Sequence, residues 1–190
     1  MIKETILLTY LVLFFIYLAA KSIIFYKKFS INPLAFSKGM VKEKLQWFGL
    51  FFILFIYGIM IVVFNLGIFG PAFENIFLDI LGYFLLIKGF VLFIISHAQM
   101  GKSWRMGMDN KTKTKLVKTG FFGRSRNPVY TSLLTQALGI TILMFNITTI
   151  IVLILLSANF YLVIKSEEKF LEKKFGKEYL KYKNKVRRFI

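Results

Sequence analysis

The chain contains no cysteine, one histidine (His97), three prolines and only nine acidic residues in 190. Without thiols it can build no disulfide, thiolate nucleophile, zinc–thiolate site or iron–sulfur cluster, and its redox compartment stays undetermined. A lone histidine excludes a multi-histidine metal site, so no metal is expected. The sequence also lacks a Gly-x-Gly-x-x-Gly element and a glycine-rich phosphate loop ending in Lys-Ser or Lys-Thr, which removes the usual soluble nucleotide-binding signatures.

Apolar sequence is what fills the chain. Hydrophobic residues make up 57%, with 23 phenylalanines, and the mean hydropathy of +0.65 lies above that of soluble domains. We therefore expect one all-α integral membrane domain over residues 1–190. Five uncharged or nearly uncharged runs, about 6–26, 45–68, 75–96, 129–145 and 148–164, approach the length needed to cross roughly 30 Å of hydrocarbon at about 1.5 Å per residue. The first is too long for a signal peptide and no small-residue cleavage site follows it. Residues 129–164 contain no Lys, Arg, Asp or Glu, enough for two short helices turning at Asn146. Gly139, Thr131, Ser132, Thr135 and Ser157 suit close helix packing in lipid.

The formal charge of +17 would suit nucleic acid, but the position of the charges points elsewhere. Five Lys lie in 27–44, eight Lys and Arg in 97–126 and ten from Lys165 onward, which is 23 of the 26 basic residues. Five spans put all three segments on one face. The positive-inside rule makes that face cytosolic, with the amino terminus outside, in a plasma membrane of prokaryotic type. A basic face against anionic headgroups accounts for the charge, so membrane lipids are expected partners and nucleic acid is not. Residues 29–44 read as a loop with an interfacial helix, broken by Pro33 and Gly39. From Glu167 to Val186 the apolar residues recur at helical spacing, as in an amphipathic surface helix bent or capped near Gly176.

Four polar residues inside the spans stand out. Lys88 is about eight residues deep in the third, too far to snorkel, and is expected in the bundle interior beside a polar partner. Gln136 and Asn159 are expected to bond between helices. His97 ends the third span.

Chemistry concentrates where the basic loop enters the fourth span, at Arg124-Ser125-Arg126-Asn127-Pro128-Val129-Tyr130. Asn127 suits a side-chain cap and Pro128 the first helical turn. A helix start preceded by Arg124 and Arg126 can also hold a carboxylate or phosphate.

Taken in order, these pieces form a pattern. His97-x-x-x-Gly101-x-x-Trp104 is followed by Leu116-Val117-Lys118-Thr119-Gly120-Phe121-Phe122, then Arg126-Asn127-Pro128-x-Tyr130. An uncharged hairpin leads to Glu167-Glu168 and to Phe175-Gly176-x-Glu178-Tyr179-x-x-Tyr182-x-x-x-Val186-x-Arg188. Residues 97–188 thus resemble the isoprenylcysteine carboxyl methyltransferase family and its phospholipid methyltransferase relatives. The resemblance implies S-adenosylmethionine as cofactor, bound within residues 97–190, and a lipophilic small-molecule or lipidated substrate entering from the bilayer. It also implies the site: His97, Gly101, Trp104, Leu116, Val117, Gly120, Arg126, Asn127, Pro128, Tyr130, Glu167 and Glu168 at the cofactor, with Arg126 and Glu168 closest to catalysis.

Those residue types suit the cofactor. Its carboxylate matches a helix start and a basic side chain, and its ammonium and ribose match Glu167 and Glu168. Trp104, Phe121 and Tyr130 offer rings to adenine or the sulfonium. Methyl transfer from a sulfonium is an in-line displacement that needs orientation and exclusion of water but no enzyme nucleophile.

Two positions depart from the family pattern: Asn127 stands where many relatives have histidine, and Val163, with Lys165 nearby, where isoprenylcysteine enzymes tend to have arginine. Two other readings are kept. One is an NADPH-dependent membrane reductase of the sterol type, which favours Arg-Asp-Glu where this chain has Ser166-Glu167-Glu168. The other is a non-enzymatic membrane scaffold.

Overall fold

The computed structural model describes residues 2–31, 41–68, 70–72, 74–104 and 114–189. The interfacial helix expected over 29–44 falls largely on residues outside this set, as do Arg105, Lys111 and Lys113 of the basic loop. Six α-helices follow one another: α1 (Ile2–Phe29), α2 (Val41–Asn65), α3 (Ile76–Met100), α4 (Pro128–Leu143), α5 (Ile147–Phe175) and α6 (Lys177–Lys185). Among the described residues there is no strand, so the chain is an all-α multipass membrane protein with α1 to α5 at the five expected apolar runs.

The hairpin between α4 and α5 turns where expected. Asn146 Oδ1 accepts the Thr149 amide at 3.0 Å and Thr149 Oγ1 accepts the Asn146 amide at 3.3 Å, a reciprocal cap that starts α5. The fifth helix runs further than its apolar run. Nothing between Lys165 and Phe175 breaks a helix, so α5 continues as one 29-residue rod that carries Glu167 and Glu168 beyond its uncharged run, and it stops only where Gly176 takes φ +52°.

Helices α3 and α4 make the tightest pair, and glycines permit it. A Cβ at Gly139 would lie 2.8 Å from the Gly82 carbonyl oxygen, and one at Gly89 would lie 2.9 Å from the Ser132 carbonyl oxygen. Gly82 and Gly89, seven residues apart on one face of α3, carry this packing as much as the expected Gly139 and Ser132; Ser157 faces outward instead. Gly139→Leu should force the two backbones apart and lower stability by about 2 kcal/mol or more, read as a fall in thermal midpoint in detergent. Unchanged melting would contradict this packing.

Leu7, Tyr57, Ile61, Leu86, Ile140, Leu143, Val152, Leu156 and Phe160 fill the centre of the bundle. Two polar contacts cross it, from Tyr10 Oη to Gln136 Oε1 and between Tyr57 Oη and Thr141 Oγ1 at 2.9 Å. Gln136 is therefore the interhelical partner its position suggested. Asn159 Oδ1 is buried with no hydrogen bond among the described residues, and its Nδ2 packs against α2, where a Cβ at Gly49 would lie 2.9 Å away. Lys88 departs from expectation. Gly89 is the residue turned toward α4, which leaves Lys88 exposed on the outside of α3 with its ammonium 5.9 Å from the Phe84 ring centre. At the beginnings of α1 and α3, Lys3 Nζ meets Asp79 Oδ1 at 2.7 Å, at the end of the α3–α4 pair away from the start of α4.

Candidate active site

Where α4 begins, the tail of the chain returns to meet it. Pro128 occupies the first turn and is buried. Asn127 does not cap the helix with its side chain; Nδ2 donates instead to the Arg188 carbonyl at 3.2 Å. Ser125 pairs with Arg187 in a parallel bridge, the Arg126 amide donates to the Arg187 carbonyl at 2.8 Å, and Ser125 Oγ donates to the Arg188 carbonyl at 3.0 Å. Residues 187 and 188 of the tail thus lie against the start of α4.

Arg126 and Glu168 lock this arrangement. The guanidinium of Arg126 donates from Nη1 to the Lys183 and Val186 carbonyls at 2.8 and 2.7 Å, capping the end of α6. Its Nε and Nη2 donate to Glu168 Oε1 at 3.2 and 2.9 Å. From the other side Arg188 donates to Oε1 at 3.1 Å and Oε2 at 2.7 Å, while its guanidinium lies 5.8 Å from the Tyr161 ring centre. Lys183 and Glu172 add a further ion pair one turn along α5. Burial alone would raise the Glu168 carboxyl, but the hydrogen bonds from Arg188 and Arg126 outweigh it and hold the group below its ordinary 4.5.

A depressed carboxylate pKa means that the stabilisation is present above the ordinary value and is lost as pH falls through the folded one. Proteolytic nicking of residues 177–189 should therefore stay flat from neutral pH down to about pH 5 and rise below about pH 4. Glu168→Gln should show the high rate at every pH. A variant as resistant as the parent would contradict the role given to this carboxylate.

Glu167 takes a different direction. It points about 100° around α5 from Glu168, and its Oε1 accepts the Tyr130 hydroxyl at 2.8 Å, with the Tyr130 ring against Phe160 at 5.1 Å. Glu167, Phe170, Leu171 and Lys174, at helical spacing, form one wall of a cleft of about 160 Å³. Lys115, Leu116 and Val117 form another side with Met100 at the end of α3 and Ser103 in the turn after it; Phe122, Arg126, Phe175, Tyr179 and Tyr182 border it as well.

Two local features hold these walls. The Phe121 amide donates to Gln99 Oε1 at 2.9 Å, and Gly120, at φ +63°, lies so close to that side chain that a Cβ would meet Gln99 Nε2 at 2.4 Å. The Tyr182 hydroxyl donates to the Phe122 carbonyl at 2.7 Å, joining α6 to the loop; burial pushes its pKa up to about 12, so the phenol stays protonated as that donor.

Of the residues named from sequence, Leu116, Val117, Arg126 and Glu167 border the cleft. Tyr130 stands behind Glu167, and Asn127, Pro128, Glu168 and Gly120 fix the frame. His97 and Trp104 are elsewhere. Both are buried, with the imidazole 4.1 Å from the Phe93 ring centre and 5.3 Å from that of Trp104, and Trp104 in turn 5.2 Å from Phe25. They anchor α1 to the end of α3, where Gly101 supplies a positive φ of 49°, and give no ring to the cleft. Phe122, not Phe121, lines it. Sequence reasoning left Arg188, Tyr179 and Tyr182 out of the site although they stood in the quoted pattern. Their aromatic and basic spacing read equally well as an amphipathic surface helix.

The family model described as phospholipid methyltransferase matches residues 77–178, more than half of the chain. The chain belongs to the phospholipid methyltransferase family. The matched segment takes in α3, α4, α5 and the loop between α3 and α4, which carry most of the cleft, while Tyr179, Tyr182 and Arg188 lie just past it. The chain is also 32% identical over 125 residues to protein-S-isoprenylcysteine O-methyltransferase of Saccharomyces cerevisiae. That alignment covers 64% of this chain and 52% of the yeast protein, so the chain spans about half the length of that relative. Membership of a phospholipid methyltransferase family agrees with the order of motifs from Leu116 to Arg188. Among the described residues no cluster of His, Asp and Glu could hold a metal ion.

Proposed function

We propose that this protein is an integral membrane methyltransferase that uses S-adenosylmethionine and a lipophilic acceptor, with the donor held by residues 97–190. The observation that carries the reading is the cleft itself. Glu167 is its one carboxylate among the described residues, Lys115 and Lys174 its ammonium groups beside the engaged Arg126, and Phe122, Phe170 and Phe175 its rings. An amino acid end with both charges fits Lys115 or Lys174 and Glu167; a sulfonium and a purine fit the rings. Arg126 and Glu168, already joined to each other and to the tail, hold the walls in place and do not touch the donor.

When bound, S-adenosylmethionine supplies a methyl group on a positively charged sulfur, open to displacement by the acceptor. The protein's part is to orient and to exclude water: the tail closes one side of the cleft through the Glu168 ion pairs, and Tyr130 fixes the Glu167 carboxylate. The basic face carrying Lys115 and Lys174 is the cytosolic one in this reading, with the amino terminus outside. The acceptor reaches it along the bilayer, and the apolar outer faces of α3 and α5 suit an isoprenoid or alkyl chain on a small molecule or a lipidated protein.

Family membership weighs against the reductase and scaffold readings. Titration calorimetry of purified protein in detergent with S-adenosylhomocysteine should show saturable binding, and NADPH fluorescence should be unaffected by the protein. No binding at millimolar ligand, or quenching of NADPH, would overturn the proposal.

A further inference from the structure

The floor of the cleft is formed by Phe122, Tyr179 and Tyr182, all buried, whereas Lys115 lies exposed at its rim and Lys174 and Glu167 are half-exposed. Two tyrosines of α6 border the cleft here, and the hydroxyl of only one is engaged. Tyr182 donates to the Phe122 carbonyl. Tyr179 is 0% exposed, and its hydroxyl has no hydrogen bond among the described residues. A buried hydroxyl left without a partner costs about 1–3 kcal/mol, so either the fold tolerates that cost without return or a bound molecule relieves it.

The depth at which the polar groups lie decides which part of a ligand goes there. Charged ends are matched at the rim by Lys115, Lys174 and Glu167. The floor offers ring faces and one hydroxyl able both to donate and to accept, which suits a flat heteroaromatic base with ring nitrogens and an exocyclic amine. We infer that Tyr179 is a binding residue for the purine of the methyl donor: its hydroxyl bonds the base edge at the buried end of the cleft, with the amino acid portion lying toward the rim. This rests on the donor proposed above and adds its direction in the cleft. Tyr179 stays fixed for this task because the turn at Gly176, the contact of its ring with Tyr182 at 6.0 Å and the Arg126 cap at the end of α6 hold the helix.

An engaged structural hydroxyl and one waiting for a ligand respond oppositely to deletion. Tyr179→Phe should leave the thermal midpoint of the ligand-free full-length protein unchanged or slightly raised, because no internal bond is lost. The same variant should weaken S-adenosylhomocysteine by about five- to twentyfold in titration calorimetry. Discrimination between S-adenosylhomocysteine and its inosine analogue, which carries an oxo group in place of the amine, should shrink in the variant. A lower thermal midpoint without ligand would show an internal partner for the hydroxyl and overturn the inference. So would wild-type affinity in the variant, or discrimination that does not change. If the wild-type protein binds no S-adenosylhomocysteine, the donor proposal fails and this inference with it; if it binds and Tyr179→Phe binds equally, the inference alone fails.

Discussion

Replacing Glu168 with alanine is expected to destabilise the protein by about 3 kcal/mol, because the change strands two arginines that now share one carboxylate. The side chain of Arg126 is only 10% exposed and would keep its charge in place with two carbonyls as partners. Arg188, at 34%, is nearer water and loses less. The damage should spread through the tail: residues 183–188 would lose their attachment to α5, and α6, which supplies Tyr179 and Tyr182 to the cleft, would lose its hold. Thermal denaturation in detergent should show the loss directly, and donor binding should fail together with it. Glu168→Gln keeps the size but not the charge and should fall between the two. If Glu168→Ala melts with the parent protein, the carboxylate is not what holds the tail.

The neighbouring residue should behave in the opposite way. Glu167→Gln is expected to leave the thermal midpoint nearly unchanged, since the Tyr130 hydroxyl can still donate to an amide oxygen, yet to weaken donor binding about 100-fold through loss of the one carboxylate that lines the cleft among the described residues. The pair thus separates folding from binding at adjacent positions. A Glu167→Gln protein that binds normally would remove this carboxylate from the site, and one that fails to fold would assign it the part given to Glu168.

The sequence had shown both glutamates as one motif, and nothing in their spacing could divide them. The division comes from the rotation of α5 together with the returning tail, a contact across 20 residues that no local pattern encodes. Asn127 illustrates the same limit. Its cap propensity is real, but the returning tail orients the side-chain amide: Nδ2 donates to the Arg188 carbonyl, and Oδ1 makes no cap bond. The spans were legible because the bilayer imposes a length, and α1 to α5 fall at the uncharged runs. Lys88 was misjudged since depth in a span says nothing about rotation; its neighbour Gly89 carried that information through its seven-residue spacing from Gly82. Trp104 and His97 pack away from the cleft for a related reason: a ring near a polar loop serves a ligand or a helix junction equally well, and α1 supplies ring partners to both.

The most direct measurement is methyl transfer itself. Purified full-length protein in detergent or nanodiscs would be incubated with methyl-labelled S-adenosylmethionine and a total lipid extract, and the organic phase counted and resolved. Label should enter an apolar product with the parent protein and fall to background with Glu167→Gln. Absence of any labelled lipophilic product, while the same preparation binds the donor, would contradict the acceptor class; product formed equally well by Glu167→Gln would contradict the site.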